Sequence, residues 1–311
     1  MATSLKKSFA ERESDCEILF RQLGPCYHLY TPENFELIFA SEDDFKAGMT
    51  IIAICAILSP GVRVLTFQLM SNHIHVTLAG DLDSCLAFFN TFKHRLRLYL
   101  RGIGRPVDLE EWDAKIREIT DLRDLRTVIV YTNRNGFVVS QNDTPFSYRW
   151  GANRFFFNPD ASYIHIRSRE RLTVRQIRCV IHSAYFDKAA GMTTVDGYVS
   201  PPAFCDVRTA AALFRDAHHY FQMVSRDIES QRQIAKELGE SVFYSDNELY
   251  NAVLLFIRDK YGNMLPSALP KESKIETALW MRHNYNAGNK QISRILRIDL
   301  PVVNALLPSG N

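Results

Sequence analysis

Cysteine is sparse in this chain and never arranged as a pair of ligands. The six cysteines, Cys16, Cys26, Cys55, Cys85, Cys179 and Cys205, are scattered, and no two form a Cys-x-x-Cys unit. That argues against a zinc ribbon or a disulfide scaffold and for the reduced thiols of an intracellular protein. Long hydrophobic runs are missing too. The longest, Met49 to Leu58, is too short to cross a bilayer, so no membrane partner is expected. Met1 to Arg12 carries charges too early and too mixed for a signal peptide, and a cytoplasmic location is expected. There is no Walker-type phosphate loop, so no nucleotide cofactor is expected. No internal repeat is visible. Nor is there an excess of one charge: 37 Lys and Arg face 35 Asp and Glu, a net of +2. Near-neutrality does not exclude nucleic acid, because a protein can be neutral overall and basic on one face.

What is present is the composition of a globular protein, with apolar content ample for a core. At 311 residues two domains are expected rather than one. The most informative stretch is Leu69 to Leu78, which alternates. On a strand, side chains point to opposite faces with period two. Ile74, Val76 and Leu78 then face a core, and His73, His75 and Thr77 face the other way. Val62 to Met70 is a second extended run, and Ser71-Asn72 between them is turn chemistry, so the two runs read as a hairpin. Two neutral imidazoles side by side can share one cation.

A partner for that pair is expected on a helix opened by Asp121. Leu122, Leu125, Val128 and Ile129 recur at helical spacing, Asp121 can cap the start, and Gly136 fits just past the end. Tyr131 and Asn135 are four apart and share a face. The Asn135 amide can complete a metal shell that two histidines leave open, in front of the Tyr131 phenol.

A His-hydrophobe-His strand followed by a helix with tyrosine and a polar residue four later resembles the single-tyrosine HUH transposases. The similarity is greatest to the IS200-like group, which includes the REP-associated tyrosine transposases. The family's Met-Pro-Asn-His-x-His stands here as Met70-Ser71-Asn72-His73-Ile74-His75. Its Tyr-Ile-x-x-Asn-Pro-Val-x-x-Gly stands as Tyr131-Thr132-Asn133-Arg134-Asn135-Gly136, and its Asp-Tyr-Pro-(Phe/Trp)-Ser is echoed by Asp143 to Ser147. The chain departs from the pattern at Ser71 and in lacking Pro-Val after the asparagine. An ungapped match would set Thr127 at the nucleophile position; the gapped match preserves the Tyr-x-x-x-Asn spacing. The resemblance covers roughly residues 24 to 155. It implies a ferredoxin-like plait, single-stranded or hairpin DNA as partner, and one Mg or Mn ion held by His73, His75 and Asn135. It also implies Tyr131 as the nucleophile that forms a 5′-phosphotyrosine link. A homodimer is a further expectation.

The remaining elements fit that class. Residues 1 to 23 read as a helix broken by Pro25, Cys26 to Tyr30 as a strand, and Glu36 to Ala40 as an extended piece near it. A capped helix follows from Ser41 to Leu58, then the histidine hairpin, a helix over Leu82 to Leu100 and a strand over Lys115 to Thr120. The expectation is an α+β chain: an antiparallel sheet with helices, then an all-α C-terminal region. Its parts are a catalytic domain over 1–158, a helical middle over 159–270 and a helix-turn-helix-like segment over 271–311. In the middle, helices are expected over Leu172 to Phe186, Arg208 to Leu238 and Asp246 to Tyr261, with loop from Asp187 to Asp206. In the last segment, three helices end on Leu300 to Leu307, and Arg297 stands where such motifs usually place a turn glycine. That segment reads either as a DNA-reading module or as a small bundle for protein contacts.

Expected DNA contacts are Lys93, Arg95, Arg97, Arg101 and Arg105 on and after the Leu82 helix, and Arg134 on the tyrosine helix. The alternative for the first five is a solvated basic face. Tyr148 to Phe157 mixes aromatics with arginine, for stacking on unpaired bases or for packing between elements. Two rivals to a strand transferase stay open: a relative that binds DNA without nicking, and a metal-dependent hydrolase in which Tyr131 is structural.

Overall fold

The structure, a computed structural model, describes residues 7–32, 35–138, 148–158, 161, 194–195, 197–226, 246–262, 264–285 and 287–307. The expected Leu172–Phe186 helix, the Asp143–Ser147 segment and Cys179 lie outside the described residues. The chain divides into two compact units. The first spans Met1–Phe137 and Asp143–Asp227, the second Val138–Asn142 and Ile228–Asn311.

In the first unit, helix α1 (Phe9–Leu23) starts at a reciprocal cap. The Ser8 hydroxyl accepts the Glu11 N–H at 3.3 Å, and the Glu11 carboxylate accepts the Ser8 N–H at 2.6 Å. Strand β1 (Cys26–Tyr30) follows, then α2 (Glu42–Leu58), strands β2 (Arg63–Leu69) and β3 (Ile74–Ala79), helix α3 (Leu82–Gly102), strand β4 (Lys115–Ile119) and helix α4 (Leu122–Val138). Asp121 caps α4 as its position implies, its Oδ1 accepting the Asp124 N–H at 2.7 Å. The helix does not stop before Gly136, however; it continues through it to Val138. Glu36 to Ala40 forms no strand. Instead the Ile38 and Phe39 N–H groups both donate to the Ser71 carbonyl, at 2.9 and 2.8 Å, and so clamp the hairpin turn.

The four strands form one antiparallel sheet in the order β2-β3-β1-β4, giving an α+β architecture. Paired residues of neighbouring strands share a face, so the register sorts the sheet into two surfaces. Phe67, Val76, Leu29 and Ile116 make one row; Gln68, His75, Tyr30 and Lys115 make another, on the opposite face. A second polar row is Thr66, Thr77, His28 and Arg117. Helix α2 covers the apolar face closely. A Cβ on Gly48 would lie 2.9 Å from the Leu69 side chain and 2.6 Å from the Phe39 ring, so only glycine allows this approach. Helix α4 covers the polar face, its Asn133 bonded to Thr66 and its Tyr131 ring against His28 and His75. Every residue of β3 is therefore buried, on both faces. His73 sits not on the strand but in the turn before it, where its carbonyl accepts the Met70 N–H at 2.9 Å.

The free edge of β2 is closed by distant chain. The Leu69 N–H donates to the Trp150 carbonyl at 2.8 Å, the Ala152 N–H to Phe67 at 3.1 Å and the Asp206 N–H to Val64 at 2.8 Å. The aromatic stretch near residue 150 is thereby a packing seam. Trp150 stacks on Phe45 at 5.0 Å between ring centres and also meets Tyr198, while Phe156 stacks on Tyr220 at 5.5 Å. Within the stretch expected to be loop, Asp187 to Asp206, lies a small hairpin, β5 (Thr194–Val195) and β6 (Tyr198–Val199), turned at Gly197 with φ 87°. Of the helix expected over Arg208 to Leu238, the part beyond residue 226 lies outside the described residues, and the described part is two short helices, α5 (Val207–Ala212) and α6 (Ala217–Arg226). Asp216 breaks it by capping α6, its Oδ1 accepting the His219 N–H at 2.8 Å.

The second unit is a helical cluster of α7 (Asp246–Tyr261), α8 (Lys271–Tyr285), α9 (Asn289–Leu296) and α10 (Leu300–Leu306). Leu249, Val253, Ile257, Met281, Ile292 and Leu296 form its core, and Trp280 stacks on Phe256 at 4.2 Å. Arg297, between α9 and α10, adopts the left-handed conformation (φ 51°, ψ 55°) that a glycine usually supplies. Among the described residues no helix is long and apolar enough to cross a membrane.

Candidate active site

The polar face of the sheet holds the side chains that sequence reasoning singled out. His75 stands on β3, His73 one turn residue before that strand, and Tyr131 and Asn135 on α4 above them. The His73 and His75 rings are 5.1 Å apart and nearly perpendicular. The Tyr131 ring meets His75 edge to face at 5.7 Å, and the Asn135 amide nitrogen lies 3.3 Å from His75 Nε2. Four residues from two segments 60 positions apart thus converge.

A third imidazole escaped the sequence analysis. His28, on β1, stacks on His75 with ring centres 5.3 Å apart, and its Nε2 lies 3.3 Å from His75 Nδ1. Tyr30 stacks on His28 from the same strand at 5.4 Å. The available signal was the period-two pair His28-x-Tyr30, which shares a strand face; only the register reveals that this face meets His75. His28 is fully buried, yet among the described residues its Nδ1 has no hydrogen-bond partner. Leaving such a group unpaired costs about 1–3 kcal/mol.

Burial keeps these rings neutral. Desolvation pulls His28 down to about 3, aided by the Arg117 guanidinium, and His73 down to about 4. His75 is held well below its ordinary value by desolvation first, then by His73 and His28. Neutral imidazole is the form that ligates a metal.

The donor set fits a divalent ion. His73 Nδ1 lies 2.8 Å from the Asn72 side-chain oxygen, which leaves Nε2 without a partner among the described residues. Adjacent ligands of an octahedral ion lie about 3 Å apart, and the 3.3 Å between Asn135 and His75 Nε2 approaches this. A half-turn of the Asn135 amide presents its oxygen at the same place. Among the described residues no three His, Cys, Asp or Glu side chains converge as a ready ligand group, so the third protein donor would be the amide.

Beside the site runs a buried hydrogen-bonded chain. Thr66 Oγ1 donates to Asn133 Oδ1 at 2.5 Å, Asn133 Nδ2 to the Tyr220 hydroxyl at 2.9 Å, and that hydroxyl to Asn153 Oδ1 at 2.5 Å. The chain closes where Asn153 Nδ2 donates to the Asn133 carbonyl at 3.0 Å. It fixes the turn of α4 between Tyr131 and Asn135.

The expected DNA contacts divide. Arg97 and Arg101 are exposed and Arg95 is half-buried. Lys93 is half-buried, pairing with Asp113 at 2.5 Å and donating to the Glu110 carbonyl at 3.0 Å. With Arg97, His94, Asp108 and Glu110 it lines a cavity of about 460 Å³ of mixed charge. Arg105 holds the fold together, bonded to the buried Asp44 carboxylate at 2.7 Å and the Ile38 carbonyl at 2.8 Å. Arg134 is buried, 3% exposed.

No family model matches the chain, and neither a curated protein nor a solved structure is significantly similar to it.

Proposed function

We propose that the protein is a metal-dependent strand transferase acting on single-stranded or hairpin DNA, built on a ferredoxin-like plait. The β-α-β-β-α-β order and the strand order β2-β3-β1-β4 support that fold. The observation that carries the function is the convergence of His73, His75, Asn135 and Tyr131 on one face of the sheet. His73, His75 and Asn135 would hold the ion. A bound Mg or Mn ion supplies Lewis-acid polarisation of a scissile phosphate. Tyr131 is the nucleophile: its phenolic oxygen forms a bond to phosphorus, the bond from phosphorus to the 3′ oxygen breaks, and the phenolic proton ends on that 3′ oxygen. The linkage conserves the phosphodiester energy, so a second 3′ hydroxyl can reverse the step and join a new strand. The Thr66–Asn133–Tyr220–Asn153 chain holds α4 so that Tyr131 and Asn135 keep their places. Exposed Arg97 and Arg101 are candidates for tracking phosphates.

One observation favours a second reading. Tyr131 is only 3% exposed, which suits a relative that binds DNA hairpins without cutting them. The test is incubation of the full chain with a library of single-stranded hairpins and Mn, followed by a denaturing gel for covalent protein–DNA adducts. The transferase gives an adduct. Binding without cleavage assigns the chain to the second reading, and cleavage without an adduct makes it a hydrolase that uses water.

A further inference from the structure

The buried imidazole of His28 has no role in the reaction just described. Among the described residues its hydrogen-bond partner is His75 Nδ1, 3.3 Å from its Nε2. On the far side of His75, the Asn135 amide lies beside Nε2, also at 3.3 Å. A ring nitrogen that ligates an ion must offer it a lone pair. In the proposed site Nε2 is therefore unprotonated, the His75 proton sits on Nδ1, and His28 Nε2 is its acceptor.

We infer that His28 is a positioning residue, whose Nε2 locks His75 in the Nδ1–H form and so aims the Nε2 lone pair at the ion. The inference rests on the metal site proposed above. Three features support it beyond the distance. The two rings stack with only 16° between their planes, so His75 cannot turn without moving His28. Tyr30 lies on His28, 5.4 Å away and at 28°, and completes a row of three rings on this face. And among the described residues His28 Nδ1 is orphaned at a position where an apolar residue would leave nothing unsatisfied; its register neighbour Thr77 also has a buried Oγ1 with no partner among them. A residue kept for packing alone has no use for such a nitrogen. Hydrogen bonds that orient a ligating imidazole act in this way at metal sites generally, fixing which nitrogen faces the ion.

The experiment uses the full chain with ¹⁵N-labelled histidine, stripped of metal and held near pH 7.5, with long-range ¹H–¹⁵N spectra to read which ring nitrogen of His75 carries the proton. Two variants accompany it. His28→Gln places an amide oxygen near the position of Nε2 and keeps an acceptor; His28→Phe keeps the ring and removes the acceptor. The wild type is expected to show His75 protonated on Nδ1 alone, and His28→Gln the same. His28→Phe is expected to show both forms and, by calorimetry, to bind Mn about tenfold more weakly, with His28→Gln much closer to wild type. His75 protonated on Nε2 in the wild type overturns the inference, as does a His28→Phe protein with unchanged protonation and unchanged Mn affinity. If His28→Phe does not fold, the wild-type and His28→Gln spectra decide. If the wild type binds no divalent ion, the metal site fails by itself, and the spectra still decide what His28 does to His75.

Discussion

The two faces of the four-stranded sheet differ in what they are made of and in what covers them. On one, Phe67, Val76 and Leu29 lie in a row under α2, with Gly48 letting the helix backbone down onto Leu69. On the other, Gln68, His75 and Tyr30 lie in the matching row under α4. Both are buried. The apolar face gains from leaving water with no polar group to satisfy. The polar face has to find a partner for each buried nitrogen and oxygen, and among the described residues it leaves His28 Nδ1 and Thr77 Oγ1 without one. A fold seeking stability alone would have made the second face like the first. The cost concentrates where the chemistry is proposed, which is where proteins characteristically accept it.

The comparison breaks most sharply at Tyr131. Tyr131→Phe keeps the ring packed on His28 and His75 and removes only the hydroxyl. Adduct formation is expected to disappear on a denaturing gel while hairpin binding, by gel shift, and the melting temperature stay near wild type. On the apolar face the order reverses. Phe67→Ala empties a fully buried ring position and is expected to cost about 3–5 kcal/mol in urea unfolding, whatever its effect on activity.

Thr66→Val sits between these. It keeps the shape of the side chain but removes the donor to Asn133 Oδ1, at an expected cost of about 1–3 kcal/mol. A loss below the error of the unfolding curve would mean that the buried chain to Tyr220 does not depend on that bond.

Acid should separate the faces too. The folded-state values of His28 and His73, about 3 and about 4, lie below the ordinary 6.5. Below pH 6.5 the unfolded chain therefore takes up protons that the folded chain refuses. Their contribution to stability is complete above pH 6.5 and falls as the pH drops toward 4, by roughly 1 kcal/mol per pH unit for each imidazole. Unfolding curves at pH 7.5 and 5 measure it, and replacing His73 by Gln should flatten the decline. The smallest effect belongs to the surface. Arg97→Ala or Arg101→Ala should weaken hairpin binding a few-fold and lower the salt slope by about one. Arg105→Ala should instead lower stability, because it strips the partner from buried Asp44.

The parts of this fold that were legible in the sequence are those that a short window determines. Alternation at Leu69 to Leu78, the caps at Ser41 and Asp121 and the apolar spacing of α4 placed the strands and helices within a few residues. The Tyr131–Asn135 spacing placed both on the side of α4 that faces the histidines. What a window cannot hold was missed. His28 acquires its meaning only from pairing with Thr77 and stacking on His75, 47 residues away. Asn133, at the hinge of the buried chain, depends on Tyr220, 87 residues on. Arg105 reads as a surface charge until its carboxylate partner, 61 residues earlier, is known. The helix expected from Arg208 failed for the opposite reason: Asp216 was a local cap signal, outweighed by the surrounding helical texture.

The closure of β2 has a consequence for how the chain is made. A strand edge left bare invites pairing with another chain. Here the bonds that cover it come from residues near 150 and from Cys205, whose thiol meets the Leu65 carbonyl 140 residues later. At translation speeds of about 5–20 residues per second, the hairpin that carries His75 waits roughly 7–30 s for the last of that cover to be synthesised. Throughout that interval the nascent sheet presents an edge that a neighbouring chain on the same messenger can pair with, a hazard that the finished protein no longer carries.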